Sequence, residues 1–87
     1  MGPKTKEAKE RVEKTMEAMK LVVDTQIIPN KQDLIILNKE AEKEFRLLRE
    51  AMAEERHLLT KEDYKELSAD GVKMIQQQAK MIARFQK

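Results

Sequence analysis

Residues 30–52, with the sequence NKQDLIILNKEAEKEFRLLREAM, carry the pattern that decides the fold. Six apolar positions in this stretch advance 18 residues in five steps, which is the 3.6-residue period of a straight α-helix. These positions are Leu34, Leu37, Ala41, Phe45, Leu48 and Met52. The unbroken apolar run of residues 34–37 further predicts that the first turn of this helix is surrounded by other elements.

Signals at both ends set the limits of this helix. Pro29 interrupts the preceding chain, and the Asn30 side chain can accept hydrogen bonds from the amides of the first turn. Asp33 lies near the positive end of the helix dipole. We therefore predict a helix over residues 31–57 that ends near Arg56 or His57.

A third segment begins at Thr60. Asp63 lies three residues later, as in a capping box, and Leu59 with Tyr64 matches a hydrophobic staple. We predict a helix over residues 61–86, with a kink or a short break at residues 68–71, because glycine at position 71 costs about 1 kcal/mol relative to alanine. Its apolar residues form two rows: Leu67, Met74, Met81 and Phe85 make one, and Val72, Ile75, Ala79 and Ile82 make the other.

The first segment, residues 5–24, has apolar residues at alternating spacings of four and three, which is a heptad seam. The seam consists of Ala8, Val12, Thr15, Met19 and Val22. Its opening stretch is nearly all charged, so residues 1–6 are predicted to fray. No polar–apolar alternation typical of a strand occurs in the sequence.

These segments predict a single all-α domain over residues 1–87. The second and third segments have similar lengths and a short link, which favours a long antiparallel helical hairpin. The first segment either packs along the hairpin as a third helix or reaches to a second subunit, giving a three-helix bundle or a helical-hairpin dimer. A short chain with 39% charged residues and no cysteine has a thin core. We therefore expect self-association, with a dimer favoured.

Charge and hydropathy exclude several classes of protein. The chain has 18 basic and 16 acidic residues, a net charge of +2, which is too close to neutral for a protein that coats nucleic acid. No apolar run is long enough to span a bilayer. No signal-peptide stretch occurs at the amino end, so a cytoplasmic location is expected.

Two short motifs invite a binding interpretation. Asn30-Lys31-Gln32-Asp33 resembles the NKxD guanine-recognition motif of small GTPases, but no GxxxxGK[ST] phosphate loop occurs and the chain is too short for that fold. Asp33 is better explained as a first-turn acid of the helix.

Glu54 and His57 have the E-x-x-H spacing of di-iron helical bundles, which need two such motifs and two further glutamates. In a homodimer Glu40, Glu44 or Glu50 could supply the remaining ligands. We interpret His57 instead as a helix-terminating residue, because it suits the negative end of the helix dipole. No metal or other cofactor is predicted.

Catalysis finds little support in the sequence. There is no cysteine nucleophile, one histidine and no glycine-rich loop, and Ser68 has no evident base to activate it. The carboxylates alternate with lysines at helical spacing, which is typical of a solvated helix face. We therefore predict that the protein is not an enzyme.

The segment of residues 71–87, GVKMIQQQAKMIARFQK, is the one part whose composition points to a partner. It has a broad apolar face and no acidic residue. Such a helix can dock in a groove of a protein, lie on an anionic membrane or follow nucleic-acid phosphates, and it can equally be a core helix with a basic solvent face. The predicted contacts are apolar at Met74, Ile75, Met81, Ile82 and Phe85, and basic at Lys73, Lys80, Arg84 and Lys87.

We therefore expect a small helical protein with a role in protein–protein interaction, regulation or assembly. The alternative is a nucleic-acid-binding dimer that uses the basic carboxyl-terminal helix. The expected partners are a second copy of the chain, a heterologous protein and, as the second choice, nucleic acid.

Overall fold

The computed structural model describes residues 1–25 and 30–85, except for the side chain of Phe85. These residues form three α-helices: α1, Pro3–Asp24; α2, Lys31–Glu54; and α3, Lys61–Phe85. A 3-10 turn over Arg56–Leu58 joins α2 to α3. The two described ranges contain no strand. The predicted all-α fold is confirmed, whereas the predicted interruption at Pro29 lies outside the described residues.

Helix α1 runs parallel to α3. The amino group of Met1 lies 3.2 Å from the Asp63 carboxylate at one end of the pair. At the other end, Arg84 donates a hydrogen bond of 2.6 Å to the carbonyl of Val22. The first helix therefore packs along the other two in the same chain, which is the bundle arrangement of the two that the sequence leaves open.

Helix α2 runs antiparallel to both of the others. Near its carboxyl end Glu55 accepts hydrogen bonds from Thr5 of α1, and Asn38 accepts one of 3.0 Å from Gln78 of α3. The contacts between α2 and α3 are nevertheless the sparsest of the three pairs, because both helices pack mainly on α1. The predicted α2–α3 hairpin is thus present, but each of its two helices packs mainly on α1 rather than on the other.

The core lies along the axis of the bundle, where one face of each helix is buried. Its buried apolar members are Ala8, Val12 and Met19 of α1, Leu34, Ala41, Leu48 and Ala51 of α2, and Leu67, Met74 and Met81 of α3. These positions follow the apolar stripe of α2 and only the first of the two apolar rows of α3. The second row stays outside the core.

Two of the predicted caps form as the sequence indicates. The Asn30 side chain accepts a hydrogen bond of 2.9 Å from the Asp33 amide. Thr60 and Asp63 make the two reciprocal bonds of a capping box, at 3.0 and 3.1 Å. The backbone hydrogen bond from Thr60 is the main cause that lowers the pKa of Asp63, and the Met1 ammonium adds to it.

The start of α1 differs from the frayed segment predicted over residues 1–6. Helix α1 begins at Pro3, and Thr5 is fully buried. Its first turn has no acidic residue, and its N-cap residue Gly2 has no side chain to accept the free amides. Glu55, which follows α2, accepts them instead, from Lys4 at 3.2 Å and Thr5 at 2.6 Å. Any side chain at residue 2 would collide with this carboxylate.

Helix α3 is continuous through residues 68–71, so the short break does not occur, and the alternative of a kink there stays a prediction. Gly71 is buried, and a Cβ atom there would lie 3.0 Å from Cζ of Phe45. The glycine thus allows the Phe45 ring of α2 to approach the backbone of α3. Packing against another helix explains this glycine better than a local interruption does.

The opening of α2 also differs from the prediction. Ile35 and Ile36 are exposed rather than surrounded, with 45% and 59% of their surface accessible. Leu34 is buried and Leu37 is partly buried, so the first turn of α2 has a single core-facing side. Helix α2 itself ends at Glu54, before the predicted Arg56 or His57.

Candidate protein-interaction surface

The structure separates the apolar residues that the sequence groups into one binding face. Met74 and Met81 are buried in the core, so they leave little surface for a partner to contact. Ile75 and Ile82 are exposed, with 66% and 49% of their surface accessible. The side chain of Phe85 lies outside the described residues.

Ile75 and Ile82 belong to the second apolar row, which remains on the surface. Val72 is also exposed, with 55% of its surface accessible, and Ala79 is exposed between the two isoleucines. We name Val72, Ile75 and Ile82 the aliphatic row. Because these residues are three or seven apart, they lie on one flank of α3 over nearly three helical turns.

A cavity of about 440 Å³ lies beside the aliphatic row, between the start of α2 and the end of α3. Helix α3 contributes Met81 and Ile82 to its lining, and α2 contributes Leu34 and Ile35 among its apolar members. We name the cavity together with the aliphatic row the α2–α3 groove. The groove is open because α2 and α3 contact α1 more closely than they contact each other.

The α2 side of the groove is predominantly basic. Lys31 and Lys39 line the cavity together with one acid, Glu42. Arg46 follows Lys39 by seven residues, so it lies on the same flank of the helix, and it pairs with Glu50 at 3.9 Å. Arg49 stacks over the Phe45 ring, with its guanidinium carbon 5.7 Å from the ring centre. We name Lys31, Lys39, Arg46 and Arg49 the basic rim.

The basic residues that the sequence singles out lie elsewhere. Lys73 and Lys80 are exposed on a flank of α3 away from the aliphatic row. Arg84 donates hydrogen bonds to the carbonyls of Val22, Val23 and Thr25 at the end of α1. This guanidinium therefore satisfies the end of a helix in its own chain. Lys87 lies outside the described residues.

The flank of α3 that carries Lys73 is mixed in charge. Lys73 borders a second cavity, of about 470 Å³, together with Lys20. Glu13, Glu17 and Asp70 line the same cavity, so carboxylates of α1 and α3 interleave with the lysines. Among the described residues, positive and negative side chains therefore alternate on this side of the bundle.

A charged cluster joins α1 to α3 beneath this flank. Lys9 is largely buried and binds Glu13, lies 3.1 Å from Glu66 and lies 3.8 Å from Asp70. The hydrogen bond to Glu13, with support from Glu66 and Asp70, raises the pKa of Lys9 above its ordinary value. Burial is the main cause that raises the pKa of Asp70, and Lys9 and Lys73 oppose it.

Glu55, at the amino end of α1, accepts the most hydrogen bonds of the buried carboxylates among the described residues. Burial by itself raises its pKa, but the Thr5 hydroxyl at 2.7 Å and the amides of Thr5 and Lys4 outweigh this effect and lower it. Sequence reasoning missed both this residue and the Lys9 cluster. The available signal was indirect: Gly2 leaves α1 without a local cap, which calls for an acceptor from another element.

Glu54 and His57 are not brought together as ligands. Glu54 binds Lys4 at 2.9 Å, and His57 is exposed in the 3-10 turn. Within residues 1–25 and 30–85, no group of three histidine or acidic side chains is placed to hold a metal ion. His57 lies just beyond α2, after its last residue Glu54.

Comparisons with protein-family models, with curated proteins and with solved structures give no match to this chain. Among the described helices, none is long and apolar enough to cross a membrane.

Proposed function

We propose that this protein is a non-enzymatic interaction module that binds a helix of another protein in the α2–α3 groove. The observation that carries the proposal is the aliphatic row, which exposes three large side chains beside an open cavity. Burial of such a side chain from full exposure is worth about 1.5–3 kcal/mol, and side chains that are 49–66% exposed can still gain about half of it. The row and Ile35 together form the apolar centre that helix-in-groove recognition requires.

A capture experiment with matched variants tests the proposal. The wild-type protein and the variants Ile75→Asp and Gln76→Asp are used to capture proteins from a native extract, and each captured protein is identified and remade in pure form. Gln76 is exposed next to Ile75 but outside the aliphatic row. We expect direct binding of the pure partner to be lost with Ile75→Asp and retained with Gln76→Asp. Equal binding by both variants would refute the proposal.

Self-association is the competing use of the same surface. Two copies that met groove to groove would bring two basic rims together, and like charges in contact oppose association. Absolute mass from light scattering distinguishes the two uses. A species of 10.2 kDa at low salt leaves the groove free for another protein. A dimer at low salt that Ile75→Asp dissociates would assign the groove to a second copy.

Nucleic-acid binding remains the alternative function. It predicts affinity that falls steeply with salt and depends on Lys73 and Lys80 rather than on Ile75. The engagement of Arg84 with α1 and the carboxylates around Lys73 favour the protein partner. Titration of a fluorescent duplex with the wild type and with Lys73→Glu, Lys80→Glu separates the two functions.

A further inference from the structure

We infer that the α2–α3 groove takes an amphipathic helix whose apolar face is flanked by acidic residues. This inference rests on the proposed function, because it assumes that the groove is the binding site, and it adds the chemistry of the partner. It depends on the distribution of charge around the groove rather than on the aliphatic row alone.

The two walls of the groove differ in character. The α3 wall consists of the aliphatic row with Met81, whereas the cavity residues that carry charge come from α2. A helix lying in the groove would place its apolar face against α3. One of its flanks would then pass along the basic rim of α2.

The basic rim has a net positive charge even when its acidic neighbours are counted. Lys31, Lys39, Arg46 and Arg49 supply four positive charges, and Glu42 and Glu50 supply two negative ones. Glu50 pairs with Arg46 at the long distance of 3.9 Å, between side chains that are both about 60% exposed. Such an exposed pair is weak and readily exchanged for a carboxylate of a partner.

Charge complementarity therefore favours a helix with an acidic flank as the occupant of the groove. A basic helix would meet like charges along the rim, and a second copy in a groove-to-groove arrangement would do the same. An acidic flank gains attraction there and is steered toward the site before contact. A peptide of about 18 residues is about 27 Å long, which is enough to follow the aliphatic row from Val72 to Ile82.

The test is selection from a displayed library of helical peptides on the intact protein. The library has leucines fixed on one face at i, i+3, i+4 and i+7 spacing, and the flanking positions vary among Glu, Lys and Ser. We expect the enriched peptides to favour Glu over Lys on one flank by about tenfold, because exposed ion pairs each contribute a small factor. Enrichment of Lys, no preference or no binder at all would overturn the inference.

Charge variants show whether the rim is the source of the preference. Lys39→Glu with Arg46→Glu is expected to shift the selection from Glu to Lys. Lys6→Glu with Lys14→Glu makes the same change of net charge at exposed positions of α1 and should leave the preference for Glu unchanged. Lys39→Gln with Arg46→Gln should remove the preference without reversing it, which covers the case in which the double reversal does not fold. Equal effects of the rim and α1 reversals would contradict the inference.

The same experiment separates this inference from the proposed function. Peptides that lose binding on Ile75→Asp but show no acidic flank would refute the inference and leave the groove as the site. Peptides that bind Ile75→Asp as well as the wild type would refute the proposed function. A fluorescent DNA duplex that binds through Lys39 and Arg46 and is indifferent to Ile75→Asp would assign the rim to nucleic acid and overturn both.

Discussion

At the scale of single residues, the side chains with the most hydrogen bonds, Glu55 and Arg84, bind the two ends of α1. Glu55 accepts three hydrogen bonds from Lys4 and Thr5, and two of them come from backbone amides that α1 cannot satisfy itself. Hydrogen bonds to a charged acceptor contribute more than neutral ones, at about 1.5–3 kcal/mol each. Thr5 and Glu55 are 50 residues apart, so no local sequence pattern predicts their contact.

Replacement of Thr5 by valine tests this contact. Thr5→Val keeps the shape of a fully buried side chain and removes its hydroxyl donor to Glu55. We expect the free energy of unfolding to fall by about 1.5–3 kcal/mol in urea titrations. Thr15→Val is the matched control, because the Thr15 hydroxyl bonds only the Arg11 carbonyl one turn earlier in α1. A loss as large in the control would show that the Glu55 contact contributes nothing specific.

The pKa shifts of Glu55 and Asp70 have opposite signs and predict opposite effects at neutral pH. The folded pKa of Glu55 lies below its ordinary value of 4.5, so its contribution is present at neutral pH and lost as the pH falls. The folded pKa of Asp70 lies above its ordinary value of 3.8, so its charged form opposes folding at neutral pH and protonation relieves that cost.

Two amide variants check this assignment by urea unfolding between about pH 7 and about pH 3. At neutral pH we expect Glu55→Gln to be less stable than the wild type and Asp70→Asn to be more stable. Both differences should shrink as the pH falls through the carboxyl range. A less stable Asp70→Asn at neutral pH would mean that attraction to Lys9 outweighs the burial of Asp70.

At the scale of helices, the sequence was most reliable where the partners are neighbours in the chain. The caps at Asn30 and Thr60 each join residues three apart, and both form as predicted. The apolar stripe of α2 is also recovered in the core, because its period records burial directly. By contrast, the role of Gly71 depends on Phe45 of another helix, and residues 68–71 on their own suggest a break.

The close approach of Gly71 and Phe45 can be measured by a double-mutant cycle. Alanine should stabilise α3 by about 1 kcal/mol through helix propensity, but its Cβ would press on the Phe45 ring. We therefore expect Gly71→Ala to stabilise the Phe45→Leu protein by more than it stabilises the wild type. Equal changes of unfolding free energy in the two backgrounds would show that the ring adjusts without cost.

The carboxyl end of α1 depends on Arg84 in a way that local exchange rates can report. Helix α1 has no basic residue in its last turn, and Arg84 of α3 binds its final carbonyls instead. A cation at this position contributes about 0.3–1 kcal/mol, so Arg84→Ala should speed amide exchange in the last turn of α1 by about two- to fivefold. Lys80→Ala, one turn earlier on α3, should leave those rates unchanged. Faster exchange throughout α1 would instead indicate loss of the whole bundle.

At the scale of the whole molecule, the bundle uses one apolar row of α3 and leaves the other on its surface. The sequence shows that two rows exist but not which one faces α1, since both have helical spacing. Leu67, Met74 and Met81 are buried, so the first row is the one that faces the core. Two of the five apolar contacts proposed from the sequence, Met74 and Met81, thereby become core residues. The α2–α3 groove depends on the separation of two helices, which the sequence does not predict.

Two alanine variants separate the rows by their effect on stability. Met74→Ala removes a buried side chain, and we expect it to lower the free energy of unfolding by about 2–3 kcal/mol. Ile75→Ala, at the adjacent exposed position, should change it by less than about 0.5 kcal/mol. Denaturant midpoints measured at constant slope provide the comparison. A large loss with Ile75→Ala would mean that the aliphatic row is covered in solution.

The capping of α1 from outside has a consequence for how the chain acquires its structure during synthesis. Helix α1 leaves the ribosome first, but the groups that complete its two ends belong to residues 55 and 84. Of the three helices, α1 is therefore made first and completed last, and its apolar seam is fully covered only after both α2 and α3 have been translated. Speed of translation over α3, rather than over α1, would then govern how long the nascent chain is vulnerable to aggregation and to chaperone capture.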